Sequence, residues 1–214
     1  MKLYTFPPAP NPKRLDIFIL EKGIEIDTTL IDLMAGEQRR EPFLSINPWG
    51  TVPALVLDDG TVMTEVIGIL NYLEALYPEV PLLGTDPISR AQILSWDHRC
   101  FSEGFIAVAE VLRNSSEVFV NRALPGPIAY AQIPALVERG QKRIHGFYQV
   151  LDEHLQEKDF MVGDTFTVAD IAAYVFVNFS GWVKETIPDE CQYLLAWYKD
   201  ISERPSLQSE GMQS

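Results

Sequence analysis

The sequence predicts two parts, an α/β N-terminal domain followed by an all-helical domain. Three observations support this: β-like and helical segments alternate up to residue 77, prolines cluster just after it, and strand signals nearly vanish beyond that cluster. The 214 residues suffice for one large or two small globular domains. We therefore expect an N-terminal domain over residues 1–77, a linker over 78–87 and a helical domain over 88–214.

In the N-terminal part, short runs rich in apolar and β-branched residues predict strands at 2–6, 28–31, 52–57 and 61–63. Apolar residues at helical spacing predict helices at about 12–23 and 64–77. The third and fourth strands are separated by Asp58, Asp59 and Gly60, a hairpin turn sequence because glycine tolerates positive φ. The predicted order is a βαβ unit, a β-hairpin and a helix.

In the second part, helical spacing of apolar residues predicts helices at about 88–115, 128–156, 167–180 and 189–202. The third of these begins with Thr167 and Asp170, three residues apart, whose side chains can satisfy each other's backbone amides. This capping box is the clearest local signal in the domain.

Charge and composition exclude several classes of protein. Seventeen basic against thirty acidic residues give a net charge of −13, which repels nucleic acid and anionic lipid, so neither is an expected partner. The longest apolar run near the C-terminus, at 171–177, is far below the roughly 18 residues of a membrane helix. No run of signal-peptide length is present near residue 1, and the two cysteines, Cys100 and Cys191, lack close spacing, so we expect a cytoplasmic protein. A disulfide between the two cysteines remains the alternative.

Few residues suggest metal or nucleotide chemistry. Three histidines are scattered without metal-ligand spacing, and no glycine-rich phosphate loop or nucleophile elbow is present, so no metal is expected. More informative is the direct join of a strand to a helix at Glu65 and Val66. A carboxylate beside helix amides suits a zwitterionic ligand, because Glu65 can take an ammonium group while the helix start takes a carboxylate.

Three motifs carry a resemblance to a known family: SINPWGTVPAL at 45–55, TEVIGILNYL at 64–73 and GDTFTVADI at 163–171. In this order and spacing the chain resembles the soluble glutathione S-transferases, over nearly its whole length. The resemblance implies a thioredoxin-like N-terminal domain and an all-α C-terminal domain, the glutathione transferase fold.

The resemblance also implies site residues. Val52 and Pro53 are expected to share a cis peptide bond, with the Val52 backbone pairing with the cysteinyl backbone of glutathione. Glu65 and the Val66 amide are expected to hold the γ-glutamyl end. Gln38 is expected to reach the glycine carboxylate, with Thr51 beside it.

Departures from the family pattern concern the same site. Val66 stands where a serine is expected, Thr51 where a lysine is frequent, and Ala9 where a serine or cysteine usually serves the sulfur. Asn11 is the nearest replacement donor, through its side-chain amide or its backbone N–H. The alternative role for Asn11 is a helix cap, because asparagine is a favoured capping residue.

The expected function is a glutathione S-transferase that conjugates the glutathione thiol to an apolar electrophile, in detoxification, as a homodimer with glutathione as co-substrate. Two alternatives remain open on the same fold: a binding or interaction protein without turnover, and a glutathione-dependent peroxidase or reductase. The electrophile is expected near the Phe6 turn and the helix carrying Trp96, Phe101 and Phe105. Aromatic residues at helical spacing are, however, more often part of a core.

Overall fold

The computed structural model of the protein describes residues 1–208. These residues divide into an N-terminal unit, Met1–Val80 with Leu124–Ala129, and a helical unit, Pro81–Ala123 with Tyr130–Gln208. The expected domain bounds at 77 and 88 stay a prediction, and residues 209–214 of the expected helical domain lie outside the described part.

The N-terminal unit contains the predicted βαβ unit, hairpin and helix. Its elements are β1 Lys2–Thr5, α1 Pro10–Lys22, β2 Asp27–Leu30, α2 Phe43–Ile46, β3 Ala54–Val56, β4 Val62–Met63 and α3 Val66–Leu76. The strand order is β2-β1-β3-β4. Strand β1 is parallel to β2 and antiparallel to β3, which is antiparallel to β4, so the predicted fold class is confirmed.

Helices α1 and α3 pack together and bury apolar side chains, among them Phe18 of α1 and Leu70 of α3. A buried ion pair also joins the two helices, with Lys22 Nζ 2.7 Å from Glu74 Oε2. The same ammonium donates to the carbonyl of Tyr77, one residue beyond α3, which places a positive charge at the negative end of that helix.

The helical unit consists mainly of long helices. They are α4 Pro87–Arg99, α5 Ile106–Ser115, α6 Ala135–His154, α7 Val168–Ser180, α8 Gln192–Ser202 and the short α9 Pro205–Gln208. Helix α7 is buried along nearly its whole length and forms the centre of the unit's core. Its predicted capping box is confirmed, with the Thr167 amide donating to Asp170 Oδ2 at 2.9 Å.

Two helix predictions in this unit need correction. The helix expected from about 128 begins only at Ala135, because Pro125, Pro127 and Pro134 interrupt the segment before it. The helix expected over 88–115 widens into a π-helical segment, Cys100–Phe105, between α4 and α5. Gly104 lies in that segment, and a Cβ there would be 2.7 Å from the Phe176 ring, so the close approach to α7 requires glycine.

Some short elements of the structure were not predicted from the sequence. The turn of 3₁₀ helix at Glu37–Arg39, α2 and α9 have too few residues to show a periodic pattern. Cys100 and Cys191 are both buried and form no disulfide within residues 1–208, which answers the alternative left open by the sequence. No helix of this part of the chain is long and apolar enough to cross a membrane.

Candidate functional site

The loop before β3 is organised by one buried side chain, Asn47. Its Nδ2 donates to the Thr51 carbonyl at 2.7 Å and to Thr51 Oγ1 at 3.2 Å, while its Oδ1 accepts from the Trp49 amide at 3.1 Å. The loop leads directly into the Val52–Pro53 bond, which is cis as predicted. No role was predicted for Asn47, although asparagine before proline is a recognised turn signal.

A second segment lies against this loop and brings Gln38 to it. A Cβ on Gly50 would be 2.8 Å from the Gln38 carbonyl oxygen, and Gly50 has φ of 61°, so only glycine fits here. The Gln38 side chain places Oε1 in a buried position where no group of residues 1–208 hydrogen-bonds to it. Gln38 and Thr51 are therefore neighbours through Gly50, as the implied glycyl end of the site requires.

The start of α3 has an unusual backbone. Glu65 occupies the N-cap position with φ of 60° and ψ of 117°, and its carbonyl accepts from Gly68 at 3.0 Å and Ile69 at 3.2 Å. Positive φ at a residue other than glycine costs on the order of 1–3 kcal/mol and is concentrated at ligand sites. The Glu65 carboxylate is exposed, and no side chain caps the helix that begins at Val66. An anionic group and unsatisfied amides thus stand side by side.

The start of α1 has few hydrogen-bond donors. Ala9 is the N-cap residue and has no side-chain cap, and its amide donates to the Phe6 carbonyl at 2.9 Å. Pro10 and Pro12 have no N–H, so Asn11 supplies the only free backbone donor of the first turn within the described residues. The capping alternative for Asn11 is wrong, because Ala9 holds that position and Asn11 lies two residues inside it.

The Asn11 side chain is held by a buried cation. Arg14, only 1% exposed, donates from Nη1 to Asn11 Oδ1 at 3.1 Å. Because the oxygen of the amide faces Arg14, its Nδ2 donors face away from the guanidinium group. Sequence reasoning missed Arg14, although an arginine three residues after Asn11 shares its helix face.

Sheet topology connects these parts. Strand β1 leads into the turn before α1 and pairs with β3, the strand that follows Val52–Pro53. Strand β3 also pairs with β4, and β4 leads to Glu65 and Val66. All seven predicted site residues lie in the N-terminal unit: Asn11, Gln38, Thr51, Val52, Pro53, Glu65 and Val66.

The aromatic residues expected near the electrophile are mostly packed inside the helical unit. The Trp96 ring packs at an angle of 36° against His154 with centroids 3.8 Å apart, and Phe105 is buried against Phe179. Phe101 is 40% exposed. Burial lowers the His154 pKa, which favours the neutral imidazole beside Trp96. Among residues 1–208, no three His, Cys, Asp or Glu residues are grouped so that they could hold a metal ion.

Comparison with known proteins agrees with this geometry. Residues 9–76 match the family model of the glutathione S-transferase N-terminal domain, and residues 137–209 match that of the C-terminal domain. Glutathione S-transferase 2 of Saccharomyces cerevisiae is 33% identical over 213 residues, covering 97% of this chain and 88% of the relative. GstA of Escherichia coli O157:H7 is 26% identical, with full coverage of both chains.

Solved structures give the same result. A glutathione S-transferase domain-containing protein of Marinobacter aquaeolei VT8 superimposes with a TM-score of 0.88 at 34% identity, covering 97% of this chain and 100% of that one. Gtt2 of Saccharomyces cerevisiae follows with a TM-score of 0.87 at 31% identity, covering 97% and 99%. These matches show that the chain belongs to the soluble glutathione S-transferase family.

Proposed function

We propose that the N-terminal unit binds glutathione with its γ-glutamyl end at Glu65 and the amide of Val66. The observation that carries this proposal is the backbone of Glu65, which holds an exposed carboxylate at positive φ beside uncapped helix amides. The carboxylate takes the ligand's ammonium group, and the helix start takes its α-carboxylate. Glutathione S-transferase activity follows from the full-length similarity to named transferases.

The remaining parts of glutathione are assigned along the same edge. The Val52 backbone, next to Pro53 and in the loop held by Asn47, pairs with the cysteinyl backbone. Gln38 and Thr51 reach the glycine carboxylate. Local donors are needed at that end because the net charge of −13 otherwise disfavours an anionic ligand.

The thiol is assigned to the start of α1, with Asn11 as the catalytic donor. A free thiol has a pKa near 8.5, and each unit of lowering requires about 1.4 kcal/mol of preference for the thiolate. Ala9 has no hydroxyl to supply it, so the Asn11 Nδ2, its backbone N–H and the positive end of α1 provide the stabilisation. The thiolate sulfur then forms a bond to the electrophilic carbon of an apolar substrate, and the leaving group departs with the bonding electrons.

The proposal extends to the localisation, assembly and role of the enzyme. The enzyme acts in the cytoplasm as a homodimer, in detoxification, with glutathione as co-substrate and no metal. A binding protein without turnover is the second candidate, favoured by one observation, the absence of a hydroxyl or thiol at Ala9. A glutathione-dependent peroxidase or reductase would use the same binding residues.

Calorimetry with glutathione tests the binding site. Glu65→Gln removes the charge but keeps the shape, and is expected to weaken binding by about 1.5–3 kcal/mol, the range for a hydrogen bond to a charged group. Glu25→Gln, an exposed glutamate of the same unit, is the matched control and leaves the affinity unchanged. Equal affinity of the Glu65 variant and the native chain would overturn the assignment.

A conjugation assay with an aryl halide separates the two candidate functions. Product formed above the uncatalysed rate, together with retention on immobilised glutathione, identifies the transferase. Retention without product identifies the binding protein.

A further inference from the structure

Two arginines of the helical unit lie against one phenylalanine ring. The Arg113 guanidinium carbon is 4.7 Å from the Phe119 ring centroid, and that of Arg122 is 6.0 Å from it. Both guanidinium groups therefore share a small region at the end of α5, where all three side chains are half-buried. Arginines stack well on aromatic faces, but two positive charges at one ring repel each other.

The one carboxylate of α5 does not neutralise this pair. Glu110, three residues before Arg113, instead pairs with α6, at 2.5 Å from Arg139 Nη2 and 3.3 Å from Arg143 Nη1. Within residues 1–208, no carboxylate lies within ion-pair distance of Arg113 or Arg122, although the chain has thirty acidic residues. The C-terminal end of α5 contributes roughly half a negative charge, which offsets only part of two positive ones.

Burial and the neighbouring Arg122 charge both lower the pKa of Arg113. Both effects disfavour the charged form, so an anion bound between the two arginines would relieve them.

Most guanidinium donors of the pair make no hydrogen bond within residues 1–208. Arg113 donates from Nη1 to the Arg122 carbonyl at 3.0 Å, and Arg122 donates from Nη2 to the Val118 carbonyl. Each guanidinium has five N–H groups, so a planar acceptor can still be bound by a pair of parallel hydrogen bonds.

The backbone around the pair is held in place. Gln132 Nε2 donates to the carbonyls of Arg113 at 2.7 Å and Ser116 at 2.8 Å, and Asn114 Oδ1 accepts from the Ile133 amide at 2.8 Å. The segment that carries Phe119 and Arg122 is thereby tied to α5 at both of its ends. A site fixed in advance loses less conformational entropy on binding.

Two exposed side chains that flank Phe119 in the sequence are apolar. Val118 is 56% exposed and Val120 is 53% exposed, on either side of Phe119. A ligand with an apolar body and an anionic end would cover these side chains while its charge meets the guanidinium groups.

We propose that Arg113, Phe119 and Arg122 form a binding site for small organic carboxylates that carry an apolar ring. The carboxylate is held by the guanidinium donors, and the ring packs on Val118 and Val120. This site lies wholly in the helical unit and does not rest on the proposed glutathione site.

Binding of 2-naphthoate to the full-length protein, with 2-naphthamide as its uncharged match, tests the proposal. Fluorescence titration in saturating glutathione is expected to give at least tenfold tighter binding of 2-naphthoate, with affinity falling as salt rises. Arg122→Gln is expected to weaken 2-naphthoate at least tenfold and leave 2-naphthamide unchanged. Lys142→Gln removes one positive charge from an exposed residue paired with Glu138 and is expected to change neither.

Three outcomes would overturn the proposal. The first is equal affinity for 2-naphthoate and 2-naphthamide, and the second is an unchanged affinity of Arg122→Gln for 2-naphthoate. The third is a loss of 2-naphthoate affinity in Lys142→Gln as large as that in Arg122→Gln, which would reveal a general charge effect. Arg122→Lys keeps the charge but loses the planar guanidinium donors, so an intermediate affinity for 2-naphthoate is expected. A melting curve checks that each variant is folded. Retention on immobilised glutathione is a separate measurement, so its failure bears on the proposed function and not on this site.

Discussion

Helices α1 and α7 each carry a buried aspartate, but their N-terminal ends are completed in opposite ways. At α7, the Asp170 carboxylate accepts from the Thr167 amide and hydroxyl, each at 2.9 Å, and from the Met161 amide at 2.7 Å. At α1, Ala9 offers no cap, and Asp16 Oδ2 is buried with no hydrogen bond from the described residues. Burial raises the pKa of both aspartates to about 6.

The difference separates a helix end that stabilises the fold from one that can serve a ligand. A helix start that is filled by its own side chains has no donor left to offer. The start of α1 keeps the Asn11 amide groups, and the start of α3 likewise has no side-chain cap. An uncapped start loses about 1 kcal/mol of stability, which a bound anion can return.

The largest expected effect on stability is at the N-terminal end of α7, which is capped by its own side chains. Asp170→Ala leaves three buried donors without an acceptor, and should lower the free energy of unfolding by about 3–5 kcal/mol. Denaturant unfolding measures the loss, and Asp164→Ala, an exposed aspartate nearby, is expected to stay within about 0.5 kcal/mol of the native chain. A loss below 1 kcal/mol for Asp170→Ala would contradict the structural role of the capping box.

The second effect concerns the aspartate of α1. With a folded pKa of about 6 against 3.8 unfolded, Asp16 keeps its proton in the folded state between these values, so stability falls as pH rises from 4 to 6. Asp16→Asn removes this penalty. The free energy of unfolding of the variant should exceed that of the native chain by about 2–3 kcal/mol at pH 7, with little difference near pH 4.

Denaturant unfolding across this pH range checks the prediction for Asp16. Glu25→Gln, at an exposed position of the same unit, should give a difference from the native chain that does not change with pH. A pH-independent difference for Asp16→Asn would show that burial does not act on its charge.

A smaller effect is expected at the unfilled end. Asn11→Ala takes an acceptor from buried Arg14 but improves helix propensity, so a net loss of about 1 kcal/mol in stability is expected. If Asn11 holds the thiolate, the apparent pKa in the pH dependence of conjugation should also rise by about one unit towards 8.5. A lower melting temperature with an unchanged rate and pKa would restrict Asn11 to anchoring Arg14.

The smallest effect is expected from Ala9→Ser. The extended backbone of Ala9 accepts serine without strain, and the new hydroxyl can either cap the Asn11 amide or donate to the sulfur. We expect stabilisation of less than about 1 kcal/mol and a few-fold faster conjugation, measured by melting and by the aryl halide assay. Stabilisation without a faster rate would indicate a turn adapted to binding.

Much of the fold was predictable because it depends on local patterns. Alternating strand and helix signals, the turn at Gly60 and the Thr167 capping box are each determined within a few residues. The family motifs extended this to the Val52–Pro53 bond. The start of α6 was misplaced because apolar residues before Ala135 keep helical spacing although prolines prevent the helix.

By itself the sequence determined the order of elements, the family and the residue types around the site, since these depend on chain-local chemistry. Only the tertiary structure decided that Ala9 rather than Asn11 is the N-cap residue of α1, that Arg14 is buried against Asn11, and that Gly50 lies against the Gln38 carbonyl. It also decided that Glu110 forms an ion pair with Arg139 of α6, and that Arg113 lies beside Arg122. These contacts depend on which side chains packing brings together, and helical spacing specifies a face but not the partner that covers it.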